Sequence, residues 1–162
     1  MIGRQEQLVM EARNRVGEQF NQGFNCAESI LAGFHGLLGE QVVPSRVVRA
    51  GTGFGGGLGR AGCLCGPLAA GVMVIGFLKG RTSPEQDREE IYALARRFHG
   101  AFVGEFGSPC CRDLNKFPPN TREHLLNCLK ITGKSGALLM RFLLGEGLIR
   151  EDQLVGVGDH LA

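Results

Sequence analysis

Cysteines close to predicted helix starts are the residues of this chain best suited to chemistry. Six cysteines occur, and three segments place one near a helix start: Cys26, Cys65 and the pair Cys110 and Cys111. A helix N-terminus carries partial positive charge and free N–H groups, which lower the pKa of a nearby thiol. One such cysteine is as readily a small buried hydrophobe. Three of them predict that several helix starts converge on one site for redox or metal chemistry.

A glycine-rich stretch is expected to position the second of these cysteines. Gly51–Gly76 reads GTGFGGGLGRAGCLCGPLAAGVMVIG. Glycine suits positive φ and close approach, and Pro67 suits the first position of a helix running to about Lys79. The loop is expected to pack closely around the cysteines and to offer backbone N–H groups to a sulfur-bound cofactor. The candidate cofactor-binding residues are Gly55, Gly56, Gly57 and Gly59.

Other motifs in the chain do not predict a further cofactor. Residues 51–56 and 57–62 both match the spelling G-x-G-x-x-G, but a dinucleotide site also needs a preceding strand, and none is predicted. No nucleotide is therefore expected. The motif C-x-x-C-H is absent, so no c-type haem is expected. His124 lies four residues before Cys128, so one helix face presents both, although a packed histidine is the preferred interpretation.

The composition excludes several classes of function. The net charge is +2, with no Trp and one Tyr, so no nucleic-acid surface is expected. The longest apolar stretch, residues 67–78, is too short to span a bilayer, and no signal-peptide pattern precedes it. We therefore expect a cytoplasmic protein without membrane contact. Six cysteines in that compartment favour metal or redox chemistry over structural disulfides.

Apolar periodicity and capping signals predict an all-α protein. Asn25 and Glu28 form a capping box, and Ser83–Pro84 and Ser108–Pro109 are further start signals. Predicted helices span residues 5–20, 26 to about 39, 46 to about 50, 67–79, 84 to about 105, 109 to about 115, and 121–144 with an interruption near Gly133 and Gly136. Residues 1–162 are expected to form a single compact bundle, loosely attached from about residue 146.

Several of these motifs, in this order, resemble the C_GCAxxG_C_C family of redox-active proteins. The residues that carry the resemblance are Asn25–Glu28, Gly53–Arg60, Cys65–Gly71, Phe106–Leu114 and Cys128. The resemblance implies an all-helical domain with a redox role and places the family cysteines at Cys26, Cys65, Cys111 and Cys128. Cys63 and Cys110 are then additions, as a resolving thiol or an extra ligand. Pro67 departs from the small residue that the motif leads one to expect.

Three functions remain open from the sequence. In the first, Cys26, Cys65, Cys111 and Cys128 hold an iron–sulfur cluster or another thiophilic metal for electron transfer or redox sensing. In the second, no metal is present: Cys65 is a low-pKa nucleophile of a thiol–disulfide oxidoreductase, resolved by Cys63, Cys26 or Cys111. In the third, the cysteines stabilise a structural or interaction protein.

The partners follow from the same hypotheses. A redox role needs a redox partner, which the sequence does not identify. Small residues at positions 62, 66, 70 and 71 allow close helix contact and raise the hypothesis of a homodimer through that face.

Overall fold

The computed structural model describes residues 2–157, and the helices in it confirm the all-α prediction. No strand occurs in this range, and none of its helices is both long and apolar enough to cross a membrane. The elements are α1 (Arg4–Asn21), α2 (Cys26–Leu38), a 3-10 helix (Ser45–Phe54), the single turn α3 (Gly55–Leu58), α4 (Gly66–Lys79), α5 (Glu89–Phe106), α6 (Cys111–Leu114), α7 (Arg122–Gly145) and a 3-10 turn (Glu151–Gln153).

Helices α1, α2 and α7 pack together through glycines. A Cβ on Gly33 of α2 would lie 2.7 Å from Val16 Cγ2 of α1, and one on Gly136 of α7 would lie 2.9 Å from the same atom. The predicted interruption near Gly133 and Gly136 is wrong, because α7 runs unbroken through both. These glycines instead allow the backbones of neighbouring helices to approach closely.

The capping box at the start of α2 is confirmed. The Glu28 backbone N–H donates to Asn25 Oδ1 at 2.9 Å, and the Asn25 N–H donates to Glu28 Oε2 at 2.8 Å. Two otherwise unpaired N–H groups are thus satisfied at the helix start. As a result Cys26 is the first residue of α2.

The small-residue face of helix α4 packs against other elements of the same chain. The helix begins at Gly66 with Cys65 as N-cap, one residue earlier than predicted. Ala70 is fully buried, and a Cβ on Gly71 would collide with the ring of Phe98 in α5. The face that suggested a homodimer is therefore used for packing within this chain.

Helix α5 starts later than the Ser83–Pro84 signal predicts, at Glu89 instead of residue 84. Gln86 Oε1 accepts hydrogen bonds from the backbone N–H groups of Thr82 and Ser83, at 2.7 and 3.2 Å. The Arg81 guanidinium donates to the Pro84 carbonyl at 2.9 Å. Arg81 also donates to the Gln86 carbonyl at 3.3 Å. Because a helix from residue 84 would use the Pro84 and Gln86 carbonyls as acceptors, their bonds to Arg81 favour a loop in this segment.

The segment after α7 packs on the bundle as far as residue 157. Ile149 is 4% exposed and belongs to the core, and the Val155 N–H donates to the Leu37 carbonyl at 2.8 Å. Arg97 and Glu146 form an ion pair at 2.8 Å. The loose attachment expected from about residue 146 is therefore not seen in residues 146–157, and residues 158–162 lie outside the described range.

Candidate functional site

Four cysteines with free thiols line one cleft of about 1390 Å³. They come from four elements: Cys26 is the first residue of α2, Cys65 the N-cap of α4, Cys111 the first residue of α6, and Cys128 lies in the second turn of α7. The predicted convergence of helix starts thus brings together three of these thiols. The fourth comes from the side of a helix. We call this site the cysteine cleft.

The Cys26 side chain lies directly against the start of α4. A Cβ on Gly66 would be 2.6 Å from Cys26 Sγ and 3.1 Å from the Phe54 carbonyl oxygen. Only a residue without a side chain fits there. The Gly56 backbone also lowers the pKa of the Cys26 thiol, although burial raises it by more. Glycines on both sides therefore hold Cys26 next to Cys65.

The glycine turn packs closely around the cysteines, as the sequence indicates. Gly57 has a φ of 69°, and a Cβ there would lie 2.5 Å from the Cys63 N atom and 3.1 Å from Cys111 Cβ. Gly56 and Gly59 also have positive φ, whereas Gly55 has a negative φ and lies against the Asn25 side chain. No strand precedes this turn in residues 2–157, so the setting of a dinucleotide site is missing.

Cys63 and Cys110 form a disulfide, with an S–S distance of 2.05 Å. Cys63 is two residues before Cys65 and Cys110 is one residue before Cys111, but neither disulfide cysteine lines the cysteine cleft. The six cysteines favoured metal or redox chemistry over structural disulfides, and one disulfide is present in the folded chain. Neither Cys63 nor Cys110 is a free thiol here, so neither is an extra ligand or a resolving thiol while the bond is intact.

Backbone hydrogen bonds join the same two segments on either side of the disulfide. The Cys65 N–H donates to the Pro109 carbonyl at 2.8 Å, and the Arg112 N–H donates to the Gly62 carbonyl at 3.0 Å. The segments before α4 and α6 are therefore fixed to each other. These two hydrogen bonds set the distance between Cys65 and Cys111.

Asn115 contacts the Cys128 thiol and was not predicted as a site residue. Its Nδ2 donates to Cys128 Sγ at 3.1 Å and to the His124 carbonyl at 3.0 Å. Asn115 is 7% exposed and is the C-cap of the short helix α6. No pattern in the sequence distinguishes it from a surface asparagine, because its role depends on α6 lying against α7.

Burial raises the pKa of all four free thiols, which contradicts the predicted lowering at helix starts. Removal from water raises the pKa of Cys26 from its ordinary value of 9.0 to about 11. Burial, followed by repulsion from the other thiolates, raises the pKa of Cys65 even further. Burial also raises the pKa of Cys111 and Cys128. The low-pKa nucleophile predicted at Cys65 is therefore wrong for this state.

The four thiols line one cleft without forming a closed ligand set. Within residues 2–157, no three His, Cys, Asp or Glu side chains lie close enough together to hold a metal ion. The arrangement is one of neighbouring neutral thiols, and the Cys128 thiol accepts a hydrogen bond from Asn115.

The fold and the cleft together define an all-helical protein with thiols from four elements facing a common space. Residues 24–142 match the family described as "Putative redox-active protein (C_GCAxxG_C_C)". The chain belongs to this family, and the match includes all six cysteines and α7 as far as Phe142. No curated protein and no solved structure matches the chain.

Proposed function

We propose that the chain is an electron-transfer or redox-sensing protein whose free cysteines hold a thiophilic metal centre, with an iron–sulfur cluster as the first candidate. The single observation behind the proposal is that Cys26, Cys65, Cys111 and Cys128 line one cleft from four separate elements. Thiols from distant parts of a chain seldom gather by packing preference alone. A bound iron–sulfur cluster supplies electron-transfer chemistry whose potential depends on its surroundings.

The donor chemistry of the cleft fits a soft metal. Sulfur ligands select iron–sulfur clusters, zinc or copper(I), whereas calcium and magnesium prefer oxygen. None of the described residues that line the cleft is Asp or Glu. The Asn115 amide donates a hydrogen bond to Cys128 Sγ, which is how a protein orients thiolate ligands and tunes a metal centre.

The raised pKa values determine the proton balance of metal binding. Four neighbouring thiolates would repel one another, so without a cation the folded protein keeps these thiols protonated. A metal centre needs the deprotonated ligands and offsets their repulsion, so its binding releases protons. It also requires the four side chains to draw closer than they lie in this structure.

Anaerobic reconstitution tests the proposal. Full-length protein is incubated with iron and sulfide, then assayed for bound iron, acid-labile sulfide and visible absorbance. We expect the unmodified chain to bind both, and Cys26→Ser, Cys65→Ser, Cys111→Ser and Cys128→Ser each to lose most of the signal. The matched control is Cys63→Ser/Cys110→Ser, which removes two cysteines and should retain the centre. A colourless, iron-free parent protein would contradict the proposal.

A metal-free thiol–disulfide function is the second candidate, favoured by the Cys63–Cys110 disulfide. In this function the disulfide takes two electrons and two protons from an external dithiol, which becomes oxidised to its own disulfide. Equilibration in glutathione buffers, followed by mass spectrometry of alkylated protein, measures the potential of the pair. A pair that stays oxidised in every buffer is structural, since structural disulfides resist reduction by glutathione.

A further inference from the structure

We propose that the cysteine cleft is also a binding site for a small organic anion with an apolar body. This inference goes beyond the redox function because it concerns binding alone and does not require a metal. It depends on two features of the cleft: its charged side chains and its exposed apolar side chains.

The charged side chains that line the cleft are all basic. They are Arg60, Arg112, Lys116 and Arg122, and no Asp or Glu within residues 2–157 lines the cleft. None of the four takes part in an ion pair found in that range. The whole chain carries a net charge of only +2, so this is a local concentration of positive charge. A cleft lined by one sign of charge attracts ions of the opposite sign.

Apolar side chains stand at the mouth of the same cleft. Phe24 is 38% exposed, and Phe117 and Leu125 are each 48% exposed. All three line the cleft. They offer contact area to an apolar body, while the cations select a negative charge. The volume of about 1390 Å³ accommodates a molecule of ordinary cofactor or substrate size. A neutral or cationic molecule would leave the four basic side chains without a counter-charge.

A matched pair of fluorescent probes tests the selection for charge. 8-Anilinonaphthalene-1-sulfonate and N-phenyl-1-naphthylamine share one apolar body and differ by the sulfonate. We expect one molecule of the sulfonate to bind per folded chain, about tenfold more tightly than the neutral probe, as two or three exposed charge contacts supply. Equal affinity for the two probes would overturn the proposal.

Two charge-matched double variants locate the site. Lys116→Gln/Arg122→Gln removes two cleft cations, whereas Arg49→Gln/Arg96→Gln removes two exposed cations that do not line the cleft. Both lower the net charge by two. We expect the first to weaken sulfonate binding about fivefold and the second to leave it nearly unchanged. Equal loss in both would show a general charge effect and contradict a site in the cleft.

All of these measurements use metal-free full-length protein, so a failure to bind iron and a failure to bind the anion are separate results.

Discussion

Cys26 and Gly66 are in such close contact that the identity of one residue restricts the other. A Cβ at position 66 would lie 2.6 Å from Cys26 Sγ, with the Phe54 carbonyl 3.1 Å away on a backbone that cannot rotate aside. We predict that Gly66→Ala destabilises the protein by about 2 kcal/mol through overpacking. Urea unfolding of the metal-free chain measures this, and reconstitution should show reduced iron uptake.

Gly76 is the matched control for that substitution, because it lies in the same helix with nothing within 4 Å of its Cβ position. Gly76→Ala is expected to stabilise α4 by about 0.5–1 kcal/mol, since alanine is the better helix former. If both variants change the free energy of unfolding equally, the contact with Cys26 is not the reason that position 66 requires glycine.

The raised pKa of Cys26 predicts how stability depends on pH. Because the folded value of about 11 lies above 9.0, the folded state holds the thiol proton more tightly between these values. This contribution is complete below pH 9 and is lost as the pH rises through 11. By pH 10.5 the loss from Cys26 is about 2 kcal/mol.

Urea unfolding at pH 8 and pH 10.5, with chelator and without oxygen, measures this change. Cys26→Ser cannot ionise in this range, so it serves as the control and should lose less stability than the parent chain. An identical pH dependence for the two proteins would contradict the burial that we assign to Cys26.

At the scale of single residues, the sequence predicts the positions of the thiols more accurately than it predicts their surroundings. The capping box placed Cys26 correctly, because its signal is confined to four neighbouring residues. The ionisation of Cys65 was predicted in the wrong direction, since burial depends on the whole fold and outweighs the helix start. Asn115 was missed because its contact with Cys128 joins two separate elements.

Among the structural elements, the short helix α6 and the segment before α4 depend most on the disulfide. The bond joins residues 47 positions apart and lies next to two backbone hydrogen bonds between the same segments. We predict that Cys63→Ala/Cys110→Ala destabilises the protein by about 4 kcal/mol, the value expected for constraining the unfolded chain over such a loop.

Thermal unfolding with and without dithiothreitol checks this prediction. The parent chain should lose stability when the disulfide is reduced, and the double variant should not respond to the reductant. A parent chain whose melting temperature is unaffected by complete reduction of the pair would contradict a stabilising role for the bond.

The element boundaries show which local signals dominate. Helix α7 begins at Arg122, close to the predicted residue 121, and the Thr121 hydroxyl caps it by accepting a hydrogen bond from the His124 N–H. The Ser83–Pro84 signal failed, and here the Arg81 guanidinium takes the Pro84 and Gln86 carbonyls that a helix would use. Neighbouring side chains thus influence whether a start signal leads to a helix or a loop.

On the scale of the whole molecule, the fold brings the cysteines together by burying glycine-rich helix faces. Gly136 lies against Val16, Gly71 against Phe98 and Gly66 against Cys26. Because glycine has no side chain, the partner side chain packs directly on the helix backbone at each of these three contacts. Apolar periodicity predicted the helices, and the separate cysteine motifs predicted a common site. The pairing of Cys63 with Cys110 needed the full structure, since spacing alone permits several combinations.

The most direct test of the central claim is an anaerobic crystal structure of the protein reconstituted with iron and sulfide, with iron located by its anomalous scattering. We predict iron inside the cysteine cleft, bonded to Cys26, Cys65, Cys111 and Cys128, with the Cys63–Cys110 pair outside the ligand set. Iron bound elsewhere, or a cleft without iron in which the four thiols remain separate, would contradict the account.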